Sequence, residues 1–337
     1  MDRARTLDLL GIGEPMLEFN QSAVASGADA GAVASGADAG AVAGGADAGA
    51  VAPRYLQGFG GDTSNAVIAA ARQGVAAGYW TRLGQDPFGD AFAALWSAEG
   101  VDASAVVRDP DAATGIYFVT HGPAGHAFTY FRKGSAASRM RPAEVPREVI
   151  ASARVLHVSG ISQAISESAC DTVFAAIEAS RAAGTRVSFD TNLRLKLWPL
   201  ARARAVILET VGLADVCLPS LEDATQLTGL QDPDAIVDAL LARGAGVVAL
   251  KLGPEGALVG DARERHRVAG HAVATVDATG AGDTFDGAFL AEWLRGAPLA
   301  DAARYANAAA ALSTRGFGAV APIPRRAEVE AFLAGLR

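Results

Sequence analysis

The sequence is poor in the features that mark several large classes of protein. Its 337 residues include only two cysteines, Cys170 and Cys217, too few for a disulfide framework and in keeping with a reducing compartment. No stretch reaches the ~18 uninterrupted apolar residues of a membrane span. The opening Met1-Asp2-Arg3-Ala4-Arg5 lacks the apolar core of a secretory signal, so a cytoplasmic protein without a membrane partner is expected. A formal net charge of −8 has the wrong sign for a general nucleic-acid binder, which shows a basic face. The five histidines have no metal-ligand spacing, which argues against zinc. One of them, His157, lies in an apolar strand and reads as a hydrogen-bonded core residue. Lysine is scarce. Lys133, Lys196 and Lys251 are the only three, and none follows a glycine, so a Walker A loop is excluded.

What is present is a globule of ordinary proportions, half apolar and a fifth charged. The length suits one large α/β domain with an accessory element, or two modest domains. Leu7 to Gly13 is an apolar run ended by glycines, read as a buried strand of a parallel sheet. Glu14 to Phe19 continues extended, with Pro15 favouring an edge. Ala77 to Leu83 reads as one strand, and Asp90 to Glu99 as a helix. Gly115 to Thr120 and Ala127 to Arg132 read as strands joined by a turn at Gly122 to Gly125, one face toward a ligand and one toward water. With the strand after Glu14 they make a small β-sheet lid, drawn from about residues 14–60 and 113–133. From Val155 strands and helices alternate: strands at Val155–Val158, Arg186–Phe189, Val216–Leu218 and Val247–Lys251, with a helix at Glu167–Ala183 among them. That alternation predicts a doubly wound, mostly parallel sheet flanked by helices.

Between the first strands lies a low-complexity insert over residues 22–52. The nonapeptide Ala-Val-Ala-Ser-Gly-Ala-Asp-Ala-Gly occupies Ala23–Gly31 and Ala32–Gly40, and recurs with Gly44 in place of Ser at Ala41–Gly49. The order of Asp and Gly does not match a calcium-binding β-roll of the same period. Such small side chains bury too little surface to offset ordering, so a flexible insert is expected, with an extension of the neighbouring strands as the alternative.

Two glycine-rich segments carry the chemistry. Val276-Asp277-Ala278-Thr279-Gly280-Ala281-Gly282-Asp283 runs into a helix whose apolar positions Ala288, Phe289, Ala291 and Leu294 keep helical spacing, with Gly296 and Pro298 as its stop. The first turn of a helix leaves backbone N–H groups unpaired and carries partial positive charge. Gly280 and Gly282 let an anion approach them, which describes a phosphate cradle. Asp283 in that turn is read two ways: as a helix cap, or as a general base for a substrate hydroxyl. The third glycine of a dinucleotide fingerprint is missing. The second segment, Gly58-Phe59-Gly60-Gly61-Asp62-Thr63-Ser64-Asn65, reads as a loop entering a helix from Ala66 to Gln73. Gly60 and Gly61 give close backbone access, and Asp62 and Asn65 stand one helical turn apart, a pairing suited to sugar hydroxyls. A plain capped loop is the alternative.

The first of these segments resembles the C-terminal signature of the PfkB (ribokinase-like) carbohydrate kinases, and the second their N-terminal Gly-Gly-x-x-x-Asn signature. Ala278 stands where that family more often has Ser, Thr, Pro or Val. The resemblance implies that Asp283 is the base and that the amides of Gly280, Ala281, Gly282 and Asp283 form the anion hole. It implies ATP as phosphoryl donor with Mg2+. Lys251, Gly253 and Gly256 would form a turn beside the ATP phosphates, and Asn307 would lie against the adenine. Ser220-Leu221-Glu222-Asp223 stands where the family has Asn-x-x-Glu. Asp223 would position the metal through water, unless the tetrad is a plain helix start. Asp277 and Thr279 are candidates for a monovalent cation such as K+. Pairing of two copies through lid strands is plausible on the same basis.

Arg132 and Arg194 bear on the substrate. Both end strands facing one rim, and an arginine fork suits a carboxylate; a pair of surface arginines is the alternative. Gly58 to Asn65, Tyr130 to Ser135, Ser159 to Ile161 and Asp190 to Trp198 are similar to the matching segments of the 2-keto-3-deoxygluconate kinases. Carried over by that similarity, Gly61, Tyr117, Tyr130, Arg132 and Arg194 would line a keto-acid pocket. The expectation is a kinase for the primary hydroxyl of 2-dehydro-3-deoxygluconate. A kinase for fructose, ribose or an inositol-pathway keto acid, and a non-catalytic sugar or nucleotide sensor, are the other readings.

Overall fold

A computed structural model describes residues 5–21, 54–122 and 125–336, so the nonapeptide insert lies outside the described residues. The first half of the chain runs through β1 (Leu7–Ile12), β2 (Met16–Gln21), β3 (Tyr55–Gly60), α1 (Asp62–Arg72), β4 (Ala77–Trp80) and β5 (Arg82–Gly84). It continues with α2 (Pro87–Ala98), β6 (Val107–Asp109), β7 (Gly115–Gly122), β8 (Gly125–Phe131) and α3 (Arg147–Ser152). Next come β9 (Ala153–Ser159), α4 (Gly160–Ala164), α5 (Glu167–Ala183), β10 (Arg186–Asp190), α6 (Leu200–Val211), β11 (Val216–Cys217), α7 (Leu221–Thr228) and α8 (Pro233–Ala242). The remainder is β12 (Val247–Lys251), β13 (Gly256–Gly260), β14 (Arg265–Ala269), α9 (Ala281–Leu294), α10 (Leu299–Ser313) and α11 (Arg326–Gly335).

Eight strands form the central sheet in the order β14-β13-β12-β11-β10-β9-β1-β4. All pairs from β4 to β12 are parallel, and the β12–β13–β14 end is antiparallel. Because successive strand residues point to opposite faces, neighbours divide between two cores. Leu9, Val155 and Val216 join the helices α1, α2, α9 and α10 on one face. Leu10, Leu156 and Cys217 join α5, α6, α7 and α8 on the other. Strands buried on both sides explain why they read as unbroken apolar runs. The chain leaves β1 toward β4 and later returns to β9 on its other side. The carboxyl ends of β1 and β9 therefore flank a topological switch point, where open α/β sheets bind ligands. Among the described residues no helix is long and apolar enough to cross a membrane.

A second sheet, in the order β3-β2-β7-β8, is built from the segments assigned to the lid; β2 and β7 run parallel and the other pairs antiparallel. Two expectations are corrected here. β2 is an inner strand rather than an edge, because Pro15 precedes the ladder and removes no donor from it. The stretch from Ala77 to Leu83 is two strands in different sheets. Between them Thr81 turns its hydroxyl to the Gly13 carbonyl at 2.7 Å, and β5 pairs with β6. On the outer face of the small sheet Phe118 stacks on Phe19 at 5.1 Å and meets Tyr55 and the exposed Phe131 edge-on.

One contact sets the geometry of the site. α1 and α9 lie against each other at Gly287, where a Cβ would strike the Ala66 carbonyl oxygen and come within 2.7 Å of the Ala69 methyl. Only glycine permits that approach. It draws together the first turns of two helices more than 200 residues apart in sequence.

Candidate active site

The helix α9 starts where the sequence places it. Its N-cap is Gly280, left-handed at φ 76°, and a side chain there would meet Ala319 at 2.9 Å. With Gly280 as cap, Asp283 falls at the third helical position and makes no capping hydrogen bond. The capping reading of Asp283 is thereby set aside. Its carboxylate instead accepts a 2.8 Å hydrogen bond from the Asn65 amide. Around Gly282 the nearest foreign atom to a built Cβ is the Lys251 Nζ, at 3.7 Å. The Ala281 amide is taken by the Ala278 carbonyl at 3.2 Å, whereas Gly282 faces space with a lysine ammonium at its side.

The second glycine segment is strand and helix rather than loop. Gly58 to Gly60 belong to β3, and α1 begins at Asp62, four residues earlier than its apolar spacing suggests. Gly61, at φ 112°, makes the sharp turn between them. It packs its Cα against the Glu14 carbonyl, 2.6 Å from where a Cβ would sit. This early start puts both Asp62 and Asn65 in the first turn of α1. Asp62 is buried and accepts from the Asn192 amide at 3.1 Å. Asn192 itself takes a positive φ of 26°, an unusual conformation that asparagine tolerates better than most residues. The Oδ1 atoms of Asp62 and Asn65 are buried and accept no hydrogen bond among the described residues. Orphaned acceptors of this kind are costly unless a ligand satisfies them.

Electrostatics single out Asp283. Burial raises its pKa first, the neighbouring Asp62 charge next, and the Asn65 hydrogen bond and Lys251 only partly offset them, leaving it at about 7. Burial also raises Asp62 and Asp223 above the ordinary carboxylate range. Lys251 is enclosed by Asp286 at 2.9 Å and Asp190 at 3.3 Å. Burial works against its charge, but the two carboxylates outweigh it and hold the ammonium protonated. Asp190, at the carboxyl end of β10, falls where such sheets bind ligands, whereas Asp286 was not foreseen as a site residue. An aspartate one turn after Asp283 on the same helix face was the available signal. His157, as expected, is a core residue: buried, 3.1 Å from the Ser188 hydroxyl, and pushed down to about 4 by burial, hence neutral.

The rim is formed by the small sheet and the turn after β10. Gly60 lies under the Tyr117 hydroxyl, 2.6 Å from a built Cβ, and that hydroxyl donates to Glu18 at 2.5 Å. Tyr130 is half exposed and packs on Tyr117 with ring centroids 5.7 Å apart. Arg132 is engaged by Glu14 through Nε at 2.8 Å and through Nη2. Arg194 is exposed; its guanidinium donates to the Leu193 carbonyl at 2.8 Å and lies in the field of Asp62 and Asp223.

The remaining candidates fall into two groups. Asp223 points inward and accepts from the Leu193 amide at 3.1 Å, while Ser220 caps α7 by accepting from the Asp223 amide at 3.1 Å. The helix-start reading of that tetrad is therefore realised, with Asp223 still beside the site. Gly253 and Gly256 frame the turn from β12 to β13. Asn307 lies against that hairpin: its amide donates to the Val268 and Ala269 carbonyls, both at 3.1 Å, and ties α10 to β14. Asp277 accepts from the Thr279 amide and hydroxyl at 2.9 and 2.7 Å and from the Gly318 amide at 2.9 Å, fixing the approach to α9.

Comparison with known proteins bears on the family and the fold. The model of the pfkB family carbohydrate kinases matches residues 37–326. The chain is 35% identical to a 2-dehydro-3-deoxygluconokinase from Bacillus subtilis strain 168, covering 84% of this chain and 89% of that one. It is 38% identical to a 2-dehydro-3-deoxygluconokinase from Thermoproteus tenax, over 80% of this chain and 83% of that one. A probable fructokinase-4 from Arabidopsis thaliana is 34% identical, with 84% and 90% covered. Among solved structures, a PfkB protein from Polaromonas sp. JS666 superposes with a TM-score of 0.80 at 32% identity, covering 96% of this chain and 99% of that one. A putative ribokinase II from E. coli, in complex with ATP and Mg2+, gives 0.83 at 26% identity, with 98% and 99% covered. Two glycine signatures brought onto one aspartate, in a doubly wound sheet with a small second sheet, have this ancestry: the chain belongs to the pfkB family of carbohydrate kinases, phosphotransferases that act on a sugar hydroxyl.

Proposed function

We propose that this kinase transfers the γ-phosphoryl group of ATP to the primary hydroxyl of 2-dehydro-3-deoxy-D-gluconate, giving the 6-phosphate. The observation that carries the choice of an acid is Arg194. Its guanidinium is exposed and has no carboxylate partner among the described residues, beside Asp62 and Asn65 with their empty acceptors. A fork of donors next to hydroxyl acceptors fits a molecule with a carboxylate at one end and hydroxyls along its length. The 35% and 38% identities to two 2-dehydro-3-deoxygluconokinases support the same substrate.

In this reading Asp62 and Asn65 accept sugar hydroxyls and Arg132 and Arg194 hold the carboxylate. Asp283, near pH 7 in its pKa, accepts the proton of the attacking hydroxyl as that oxygen bonds to phosphorus and ADP departs. The amides of Gly280, Gly282 and Asp283 and the Lys251 ammonium stabilise the charge on the phosphoryl oxygens, where positioning and charge stabilisation do most of the catalysis. Mg2+ bound to the nucleotide neutralises its phosphate charge. Asp223 would hold it through water, a modest demand that a single inward carboxylate with one unoccupied oxygen meets. Asp277 and Thr279 would serve a monovalent cation.

The fructokinase relatives, 34% identical for the Arabidopsis protein, favour a neutral ketose as the second reading. An ADP-release assay over a panel of 2-dehydro-3-deoxygluconate, fructose, ribose and inositol-derived keto acids decides between them. Greatest kcat/KM for the 3-deoxy-2-keto acid supports the proposal; greatest kcat/KM for fructose or ribose replaces it.

A further inference from the structure

Glu14 was not singled out by its sequence context, yet it is a buried charged side chain at the meeting place of the two sheets. Its carboxylate is fully shielded from solvent. One oxygen accepts from Arg132 Nε and Nη2, and the other from the Ser135 hydroxyl at 2.5 Å. Four segments lead into or out of the small sheet from the rest of the fold among the described residues: 13–15, residue 61, 110–114 and 132–136. Glu14 belongs to the first. Its carbonyl oxygen lies 2.6 Å from a Cβ built on Gly61, in the second. Its Oε1 lies 3.0 Å from a Cβ built on Gly115, where the third enters β7. Arg132 and Ser135, its hydrogen-bond donors, are in the fourth.

We propose that Glu14 is a positioning residue for acidic substrates, holding the Arg132 guanidinium from behind so that its Nη1 side faces the substrate carboxylate, at the point where all four crossings converge. The inference rests on the sugar-acid reading above. A guanidinium is planar, so fixing Nε and Nη2 fixes the direction of the remaining N–H groups. The Tyr130 ring, 5.9 Å from the Arg132 carbon, limits the same group from its side. Without a carboxylate behind it, Arg132 would be a partly buried cation free to turn toward other acceptors.

The test compares Glu14→Gln with the wild-type enzyme, using 2-dehydro-3-deoxygluconate, fructose and ATP as varied substrates. The proposal expects KM for the acid to rise about tenfold or more, the cost of misplacing one charge-assisted pair, with KM for ATP and kcat/KM for fructose within about twofold. Glu14→Asp, which keeps the charge on a shorter arm, should recover part of the loss. Equal losses for acid and fructose, or an unchanged KM for the acid, would overturn it and leave Glu14 a structural residue only. Should Glu14→Gln fail to fold, Ser135→Ala, which removes one donor to Glu14, must show the same split in smaller measure, and its absence overturns the proposal. A wild-type enzyme that prefers fructose rejects the sugar-acid reading itself, and this inference with it. A wild-type enzyme that prefers the acid while Glu14→Gln keeps its KM rejects the inference alone.

Discussion

Asn65 donates a 2.8 Å hydrogen bond to Asp283, joining the first turns of α1 and α9 across 218 positions of sequence. The bond orients the carboxylate and lowers its pKa against the pull of burial and of Asp62. Asp283 itself is half-buried. The following outcomes are expected from that arrangement.

Asp283→Asn keeps the shape of the side chain and removes the proton acceptor. Turnover should fall by about 10²–10⁴-fold, with ATP affinity by calorimetry and the far-UV spectrum unchanged. Retention of a tenth or more of wild-type kcat would deny the residue its role as base.

The pH dependence follows from a base that must be deprotonated. With Asp283 at about 7, kcat/KM should rise from pH 6 to pH 8 along a limb centred near 7. Asp62→Asn removes the adjacent charge that helps raise that value and should move the limb to lower pH. A limb that stays in place would show that burial alone sets it. Stability carries the opposite sign. A carboxyl raised above its unfolded pKa favours the fold at low pH, and that contribution is lost as pH rises through about 7. Asp283→Asn should therefore raise Tm at pH 8 by about 2 °C or more, and change it less at pH 5.

Gly287→Ala tests the close packing of α1 on α9. In an exposed helix the change would stabilise by about 1 kcal/mol. Here the added methyl would strike the Ala66 carbonyl and lie 2.7 Å from the Ala69 methyl, so destabilisation of about 2–3 kcal/mol is expected by urea unfolding. Any folded fraction should also lose kcat, because displacing α1 moves Asn65 away from Asp283.

Arg194→Ala tests the carboxylate anchor. Loss of a bidentate charge-assisted pair should raise KM for the sugar acid about 30–100-fold, with kcat/KM for fructose little altered. Equal effects on both substrates would assign Arg194 to folding of the turn after β10.

Much of the frame was legible because local signals agree with the final fold. α5 lies between Ser166, which caps it, and left-handed Gly184, and its bounds match the apolar spacing. β12 and the start of α9 are likewise where their patterns end. The start of α1 was not legible. Gly61 turns the chain at φ 112°, and Asp62 to Asn65 are polar residues whose helical state depends on burial beneath the small sheet. The break at Thr81 depends on a carbonyl, that of Gly13, supplied by a distant strand.

The sequence by itself determined the alternation of strands and helices and the glycine-rich start of α9, since spacing, capping and glycine placement are local properties of a chain. Only the tertiary structure decided which acidic side chains would be buried. Glu14 and Asp286 look like ordinary surface charges in sequence. Each is buried because a cation from elsewhere, Arg132 or Lys251, lies within 3.3 Å. A buried charge is tolerable only with such a partner, and no pattern along the chain records who the partner is.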